Sequence, residues 1–159
     1  MRAGIVGLCL LLATTTPAWG GFNKGLEAYG RGDYATALAE WQPLAEHGNT
    51  LAQLNLGYMY HYGRGVPQNY TEAVKWYRRA AEQGYGLAQY NLGILYYQGR
   101  GVARNYVHAH MWFNLASATG LIDEAGTNRD KLEKSMTSEQ LARARKLAHD
   151  WVATHRQEN

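Results

Sequence analysis

Six histidines in a chain of 159 residues raise the question of a metal site. His108 and His110 are two apart, which on a helix sends them to nearly opposite sides, whereas chelation from one helix needs a spacing of four. His47, His61, His149 and His155 have no partner in H-E-x-x-H form. The serines, Ser117, Ser135 and Ser138, sit in neither a G-x-S-x-G elbow nor an S-x-x-K motif, so nothing marks a nucleophile. Glu27, Glu40 and Glu72 are the carboxylates that would have to pair across neighbouring elements for acid–base work, although carboxylates on helix surfaces ordinarily serve solvation. The expectation is a chain that is not an enzyme and holds no cofactor and no metal.

Two glycine-rich stretches, GRGVPQNY from Gly63 and GRGVARNY from Gly99, offer a phosphate cradle as a second possibility. A dinucleotide fingerprint needs a third glycine where Gln68 and Arg104 stand, and a strand before it, which the preceding residues do not resemble. Asn69, Tyr70 and Thr71 spell an N-glycosylation sequon, but Asn105 recurs 36 residues later without the threonine, so helix capping explains both asparagines.

Composition allows one compact domain: 46% of residues are hydrophobic and 18% charged, with a net charge of +3. Acids are interspersed with the basic residues, so no nucleic-acid partner is expected. The one local basic cluster, residues 143–146, reads as a solvated helix face balanced by Asp150 and Glu158. Residues 1–20 differ from the rest. Arg2 precedes an apolar run over 3–13, and Ala18, Trp19 and Gly20 supply small residues at the cleavage positions, the pattern of a secretory signal cut after Gly20. The run is too short to cross a bilayer as a helix, so no stable membrane span is expected after cleavage, an uncleaved anchor being the alternative. The only cysteine, Cys9, lies in that run, and a chain without it has neither disulfide nor thiolate chemistry.

The glycine-rich octapeptides belong to a longer repeat. A shift of 36 residues superposes 51–85 on 87–121, matching leucines, alanines, glutamine, asparagine, glycines and aromatics in register. A weaker third copy lies upstream: Tyr34, Tyr70 and Tyr106 align, as do Ala37, Ala73 and Ala109, then Trp41, Tyr77 and Phe113, then Gly48, Gly84 and Gly120. Ala52, Leu56, Met59 and Tyr60 recur at three- and four-residue spacing, as do Ala73, Trp76, Tyr77 and Ala80, so each copy predicts two amphipathic helices. Thr50 with Gln53, Asn69 with Glu72 and Thr137 with Gln140 have capping-box spacing. Gly63 ends the first helix in a left-handed residue, Gly65 permits the reversal, Val66 fills the gap beneath and Pro67 prevents continuation. Pro43 falls inside a predicted helix and is expected to kink or loosen it. Helical hairpins of this kind hide one stripe each and must stack. The predicted organisation is a degenerate hairpin over 21–49, full repeats over 50–85 and 86–121, and capping helices over 122–159.

The pattern Ala52, Leu56, Gly57, Tyr60, Gly63, Gly65, Val66, Tyr70, Ala73, Trp76, Tyr77, Ala80, Ala81 and Gly84, repeated from Ala88 to Gly120, resembles the Sel-1-like repeat, a relative of the tetratricopeptide repeat. Ala103 in place of the proline, and Val107 and His108 in place of Thr71 and Glu72, depart from it. The tail MTSEQLARARKLAHDW also resembles the close of small secreted bacterial members. The resemblance implies an all-α superhelical solenoid of stacked antiparallel hairpins with a C-terminal capping pair. It further implies a periplasmic or secreted adaptor that binds a protein or peptide partner.

In tetratricopeptide-type stacks the first helices line the concave side, which places Asn55, Tyr58 and Tyr62, and one repeat later Asn91, Ile94 and Gln98, on a partner-binding face. The amides would bond a peptide backbone and the tyrosines would supply apolar area; the competing role for Asn55 and Asn91 is to satisfy neighbouring helix ends. The aromatics Tyr60, Tyr96, Trp76, Trp112, Tyr70 and Tyr106 are expected in the core. Two alternatives remain. Cysteine-rich relatives suggest a cell-wall enzyme or regulator acting on peptidoglycan-derived or lactam ligands, although this chain lacks their cysteines, and the surplus aromatics suit a structural subunit with a homomeric interface.

Overall fold

A computed structural model describes residues 18–155 and contains, among them, eight helices and no strand: α1 (Ala18–Gly30), α2 (Tyr34–Glu46), α3 (Thr50–Tyr62), α4 (Tyr70–Glu82), α5 (Gly86–Gln98), α6 (Tyr106–Ala118), α7 (Asp123–Glu133) and α8 (Ser138–His155). The fold is all-α, as expected. The expected signal lies almost wholly outside the described residues; its last residues, Ala18, Trp19 and Gly20, open α1.

Local sequence explains where these helices begin and end. Asn69 and Asn105 adopt extended backbone and accept from the amides of Glu72 and His108, both at 3.1 Å. Gly63 and Gly99 close α3 and α5 in the left-handed conformation, their amides returning to the Met59 and Leu95 carbonyls. Thr137 and Gln140 form a reciprocal capping box at α8, at 2.9 and 3.2 Å. The α3 cap is corrected by one residue. Asn49 accepts from Ala52 N at 2.8 Å, which releases the Thr50 hydroxyl to bond Gln83 in the next helix at 2.6 Å. Pro43 does not end α2, which runs on to Glu46; so near the C-terminus its ring interrupts little of the ladder.

Each hairpin closes on a glycine set beneath an aromatic ring. A Cβ at Gly25 would overlap the Trp41 indole, one at Gly57 the Tyr77 ring, and one at Gly93 would sit 2.8 Å from Phe113. Trp41, Tyr77 and Phe113 are almost fully buried, each such burial contributing about 1.5–3 kcal/mol. The alanines Ala37, Ala73 and Ala109 have no exposed surface and let the helix pairs approach.

Successive hairpins are tied by a second periodic device. Gln53 is buried and donates Nε2 to the Ala45 carbonyl at 3.0 Å, and Gln89 repeats this on Ala81 at 3.2 Å. Each glutamine thus adds a second donor to a last-turn carbonyl of the preceding hairpin, which already accepts from the turn glycine, Gly48 at 3.1 Å or Gly84 at 2.9 Å. The loop glycines form a third tie: a Cβ at Gly65 would overlap Tyr34, and one at Gly101 would strike the Tyr70 carbonyl and lie 2.6 Å from Thr71 N. Of the aromatics expected in the core, Trp76, Trp112 and Tyr96 are buried, while Tyr60, Tyr70 and Tyr106 are half-buried. The last two open α4 and α6, where a ring can lie along the stack with its hydroxyl in water. After α6 the hairpin pattern changes, and α7 and α8 each pack against α6.

Gly101 and Gly120 share a φ of +69°, but only Gly101 has backbone against it. Gly120→Ala is expected to cost about 1–2 kcal/mol from the left-handed conformation alone. Gly101→Ala should cost clearly more, on the order of 3 kcal/mol, because the loop must lift off α4. Urea unfolding of both variants checks this; equal losses would show that the loop is not seated on α4.

Candidate functional site

The first helices α1, α3, α5 and α7 share one side of the stack, and two grooves run between them. Leu26 and Tyr29 of α1, Leu54, Asn55 and Tyr58 of α3, and Leu87 of α5 enclose about 320 Å³ above the Trp41 ring. Ile94, Tyr97 and Gln98 of α5 face Asn128 and Lys131 of α7 and Ser135 just beyond it across about 250 Å³, over a floor of Phe113 and Leu132. The six residues expected on a partner-binding face are therefore divided. Asn55 and Tyr58 line the first groove, and Ile94 and Gln98 the second. Asn91 lines neither groove and is only 8% exposed. Tyr62 lines neither groove: its ring is 53% exposed, stacks on His61 at 4.4 Å and tilts against Tyr58 at 5.3 Å.

Apart from Lys131, the polar groups lining the two grooves are amides and hydroxyls. Burial pushes the Tyr58 and Tyr90 hydroxyls above the usual phenol range, so both stay protonated at physiological pH. Tyr90 Oη accepts from Asn128 Nδ2 at 3.1 Å, linking α5 to α7. Asn91 approaches the Tyr58 phenol, yet its Nδ2 is buried without a hydrogen-bond partner. Buried amides are rarely left so, because an unmade bond costs about 1–3 kcal/mol. The helix-end bonds weighed for the asparagines are made instead by Gln53 and Gln89.

Several lining residues were missed by sequence reasoning, and each had a signal. Leu26 precedes Tyr58 by the same interval that separates Gly25 from Gly57, so carrying the stripe back through the shortened first copy finds it. Asn128, Lys131 and Ser135 lie thirty-seven residues after Asn91, Ile94 and Gln98, one more than the period.

The groups with chemical potential do not assemble into a catalytic set. Glu27 lies 3.9 Å from Arg31, Glu72 lies 3.1 Å from Lys75 and Glu40 pairs with Lys24, so each is matched with a cation. Among the described residues, no three His, Cys, Asp or Glu side chains cluster. His61, His108 and His110 serve packing, whereas His47 and His149 are exposed. His110 of α6 is 1% exposed and its Nε2 lies 2.8 Å from Glu133 Oε1 at the end of α7, which also takes Arg145 of α8 at 3.4 Å. One carboxylate thus joins three helices, and the hydrogen bond from His110 holds it below the usual carboxylate range. His108 stacks on Tyr96 at 5.2 Å, its pKa lowered by burial and then by Arg143 and Arg78. Burial, then Arg100, lowers that of His61.

A lowered histidine pKa means that the unfolded chain binds more protons at mildly acid pH. The stability tied to neutral His108 and His61 is full above about pH 6.5 and is lost as pH falls below it. Between about pH 7 and pH 5, the parent's Tm should therefore fall further than that of His108→Phe, which keeps a ring on Tyr96 but cannot titrate. Scanning calorimetry at both pH values checks this, and an equal drop would sink the assignment.

The comparisons agree with this geometry. A family model for the Sel1 repeat matches residues 50–85 and 86–121. The crystal structure of a protective antigen present in uropathogenic Escherichia coli strains, which displays an SLR fold, superposes with a TM-score of 0.79 at 36% identity over 87% of this chain. The chain spans only 30% of that protein. A Sel1 repeat protein from Oxalobacter formigenes superposes with a TM-score of 0.66 at 35% identity, covering 72% of this chain and 89% of that one. No curated protein matches. Sel1 repeats typically mediate protein–protein interaction, and with two repeats in register and these structural relatives, the chain belongs to the Sel1 repeat family.

Proposed function

We propose that the chain is an exported, periplasmic adaptor that does not turn over a substrate and takes an extended peptide or protein segment along the side formed by α1, α3, α5 and α7. The observation that carries this reading is Asn91, a buried amide with an unmet donor beside Tyr58 of the first groove. An extended segment brings a carbonyl or amide every residue and a side chain to alternate sides, which suits neutral donors and acceptors between apolar pockets. Asn55 and Gln98 supply amides, Tyr58 a protonated phenol with the Asn91 amide beside it, and Leu26, Leu54, Leu87 and Ile94 the apolar walls. With Lys131 the one ionised side chain among those lining the grooves, recognition rests on shape and backbone bonds rather than on a charged motif. Export rests on the pattern of residues 1–20.

Selection of peptides from a random display library on the immobilised chain tests the reading. Leu26→Ala and Gln98→Ala, exposed positions one in each groove, should each weaken selected peptides by about tenfold, while Tm stays within a degree or two. Peptides that bind equally well to both variants would place recognition elsewhere.

A further inference from the structure

Between the starts of α6 and α8 lies a cavity of about 540 Å³, walled by Arg104, Asn105 and Tyr106 on one side and by Glu139, Gln140 and Arg143 on the other. The repeat explains why it is open. At the starts of α2 and α4 the loop of the next hairpin sits on the helix, with Gly65 against Tyr34 and Gly101 against Tyr70. No loop covers the start of α6, because the connection over residues 134–137 is short and leads directly into α8.

The residues at this place differ from their counterparts one period earlier, and both changes make it more basic. Gln68, which closes the earlier loop by donating to the His61 carbonyl at 2.8 Å, becomes Arg104, and Glu72 becomes His108. Across the cavity, the basic run 143–146 is divided by its partners: Arg145 goes to Glu133 and Lys146 to Asp150, which leaves Arg143. Among the described residues neither Arg104 nor Arg143 forms an ion pair, and the Arg104 guanidinium rests 5.8 Å from the Tyr106 ring. The charge of Arg143 is felt locally, since after burial it is Arg143 and Arg78 that hold the His108 pKa below its ordinary value. The caps add donors of their own. Asn105 Oδ1 accepts from His108 N at 3.1 Å and Gln140 Oε1 from Thr137 N at 2.9 Å, so each amide has its N–H end left to offer. Glu139 is the one carboxylate on the wall.

We propose that this cavity binds an oxyanion, the carboxylate or phosphate group of a small ligand, between the Arg104 and Arg143 guanidiniums, with the Asn105 and Gln140 amides as further donors. A guanidinium presents paired N–H groups that match either oxyanion, and the positive ends of the α6 and α8 dipoles act in the same direction. Both arginines are exposed and Glu139 opposes the ligand, so a bare ion should bind only in the millimolar range. The site goes beyond the adaptor reading: it shares no residue with the two grooves.

NMR of the His108 ring tests the proposal, in titrations with sodium phosphate and with sodium acetate while sodium chloride holds the ionic strength constant. A saturable shift is expected, tighter binding of phosphate identifying a phosphate ligand and tighter binding of acetate a carboxylate. An anion beside Arg143 offsets its field, so the titration midpoint of the ring should rise as the site fills. Arg104→Gln and Arg143→Gln, both at exposed positions, should each weaken binding about fivefold with unchanged circular dichroism, and Glu139→Gln should tighten it by about the same factor. A ring that responds to neither anion beyond its response to chloride overturns the proposal, and so does binding indifferent to these substitutions. Peptide selection by the grooves is read separately, so either reading can fail without the other.

Discussion

The contact on which the rest depends is a glycine in the middle of each first helix lying flat under an aromatic ring of the second: Gly25 under Trp41, Gly57 under Tyr77 and Gly93 under Phe113. Glycine within a helix costs roughly 0.5–1 kcal/mol against alanine. Burying a large ring with no intervening Cβ returns more than that, and it fixes how closely the two helices approach. The ring changes from indole to phenol to phenyl along the chain, so the position requires a flat apolar surface rather than a particular group. The Tyr77 hydroxyl meets this demand at the edge of the buried layer, 3.5 Å from His61 Nδ1.

Once the hairpin spacing is set, its outer surfaces are set too, and leftover polar groups supply the ties between hairpins. A second helix ends with carbonyls held only by its tight turn, and the next first helix brings a glutamine as a second donor to one of them: Gln53 to Ala45, Gln89 to Ala81. The register then runs out. The residue one period after Gln89 is Ala125, which is fully buried and has no amide to give. The polar tie between α6 and the last two helices is instead the His110, Glu133 and Arg145 set, which draws both onto α6 through one carboxylate. The change of glue coincides with the change of packing, because α7 and α8 share α6 instead of continuing the hairpin sequence.

Sequence reasoning reached what recurs and stumbled on what does not. The repeat identified helix pairs, the glycines that turn them and the capping asparagines, since a requirement met twice at the same interval is hard to mistake. It misassigned Thr50 because Thr50 with Gln53 has capping-box spacing, whereas the neighbouring Asn49 caps better and Gln53 is committed to Ala45. Helical period alone put Asn55 and Asn91 on the same face of equivalent helices, but it could not show that one is half-buried and the other nearly sealed. That difference arises from the neighbours: Asn55 has only the sparse α1 before it, while Asn91 is flanked by the tyrosines of α3 and by Tyr90. The pairing of His110 with Glu133 left no trace in the sequence, because it joins a repeat helix to a helix outside the period.

A stack of this kind has three surfaces with different physics. The outer faces of the helices carry the charges, and ion pairs such as Lys146 with Asp150 keep them wetted. The grooves between the first helices are aromatic and amide-rich with Lys131 their one charged side chain, so they can give up water at little cost and repay it with hydrogen bonds to a segment that lacks them. The stack beyond α6 is different again, because an internal junction seats a loop on the start of a second helix and the start of α6 has none. Natural solenoids blunt such ends with atypical units. Here α7 and α8 cover the apolar flank of α6 but leave its N-terminus open, so the last unit closes the core without closing the repeat.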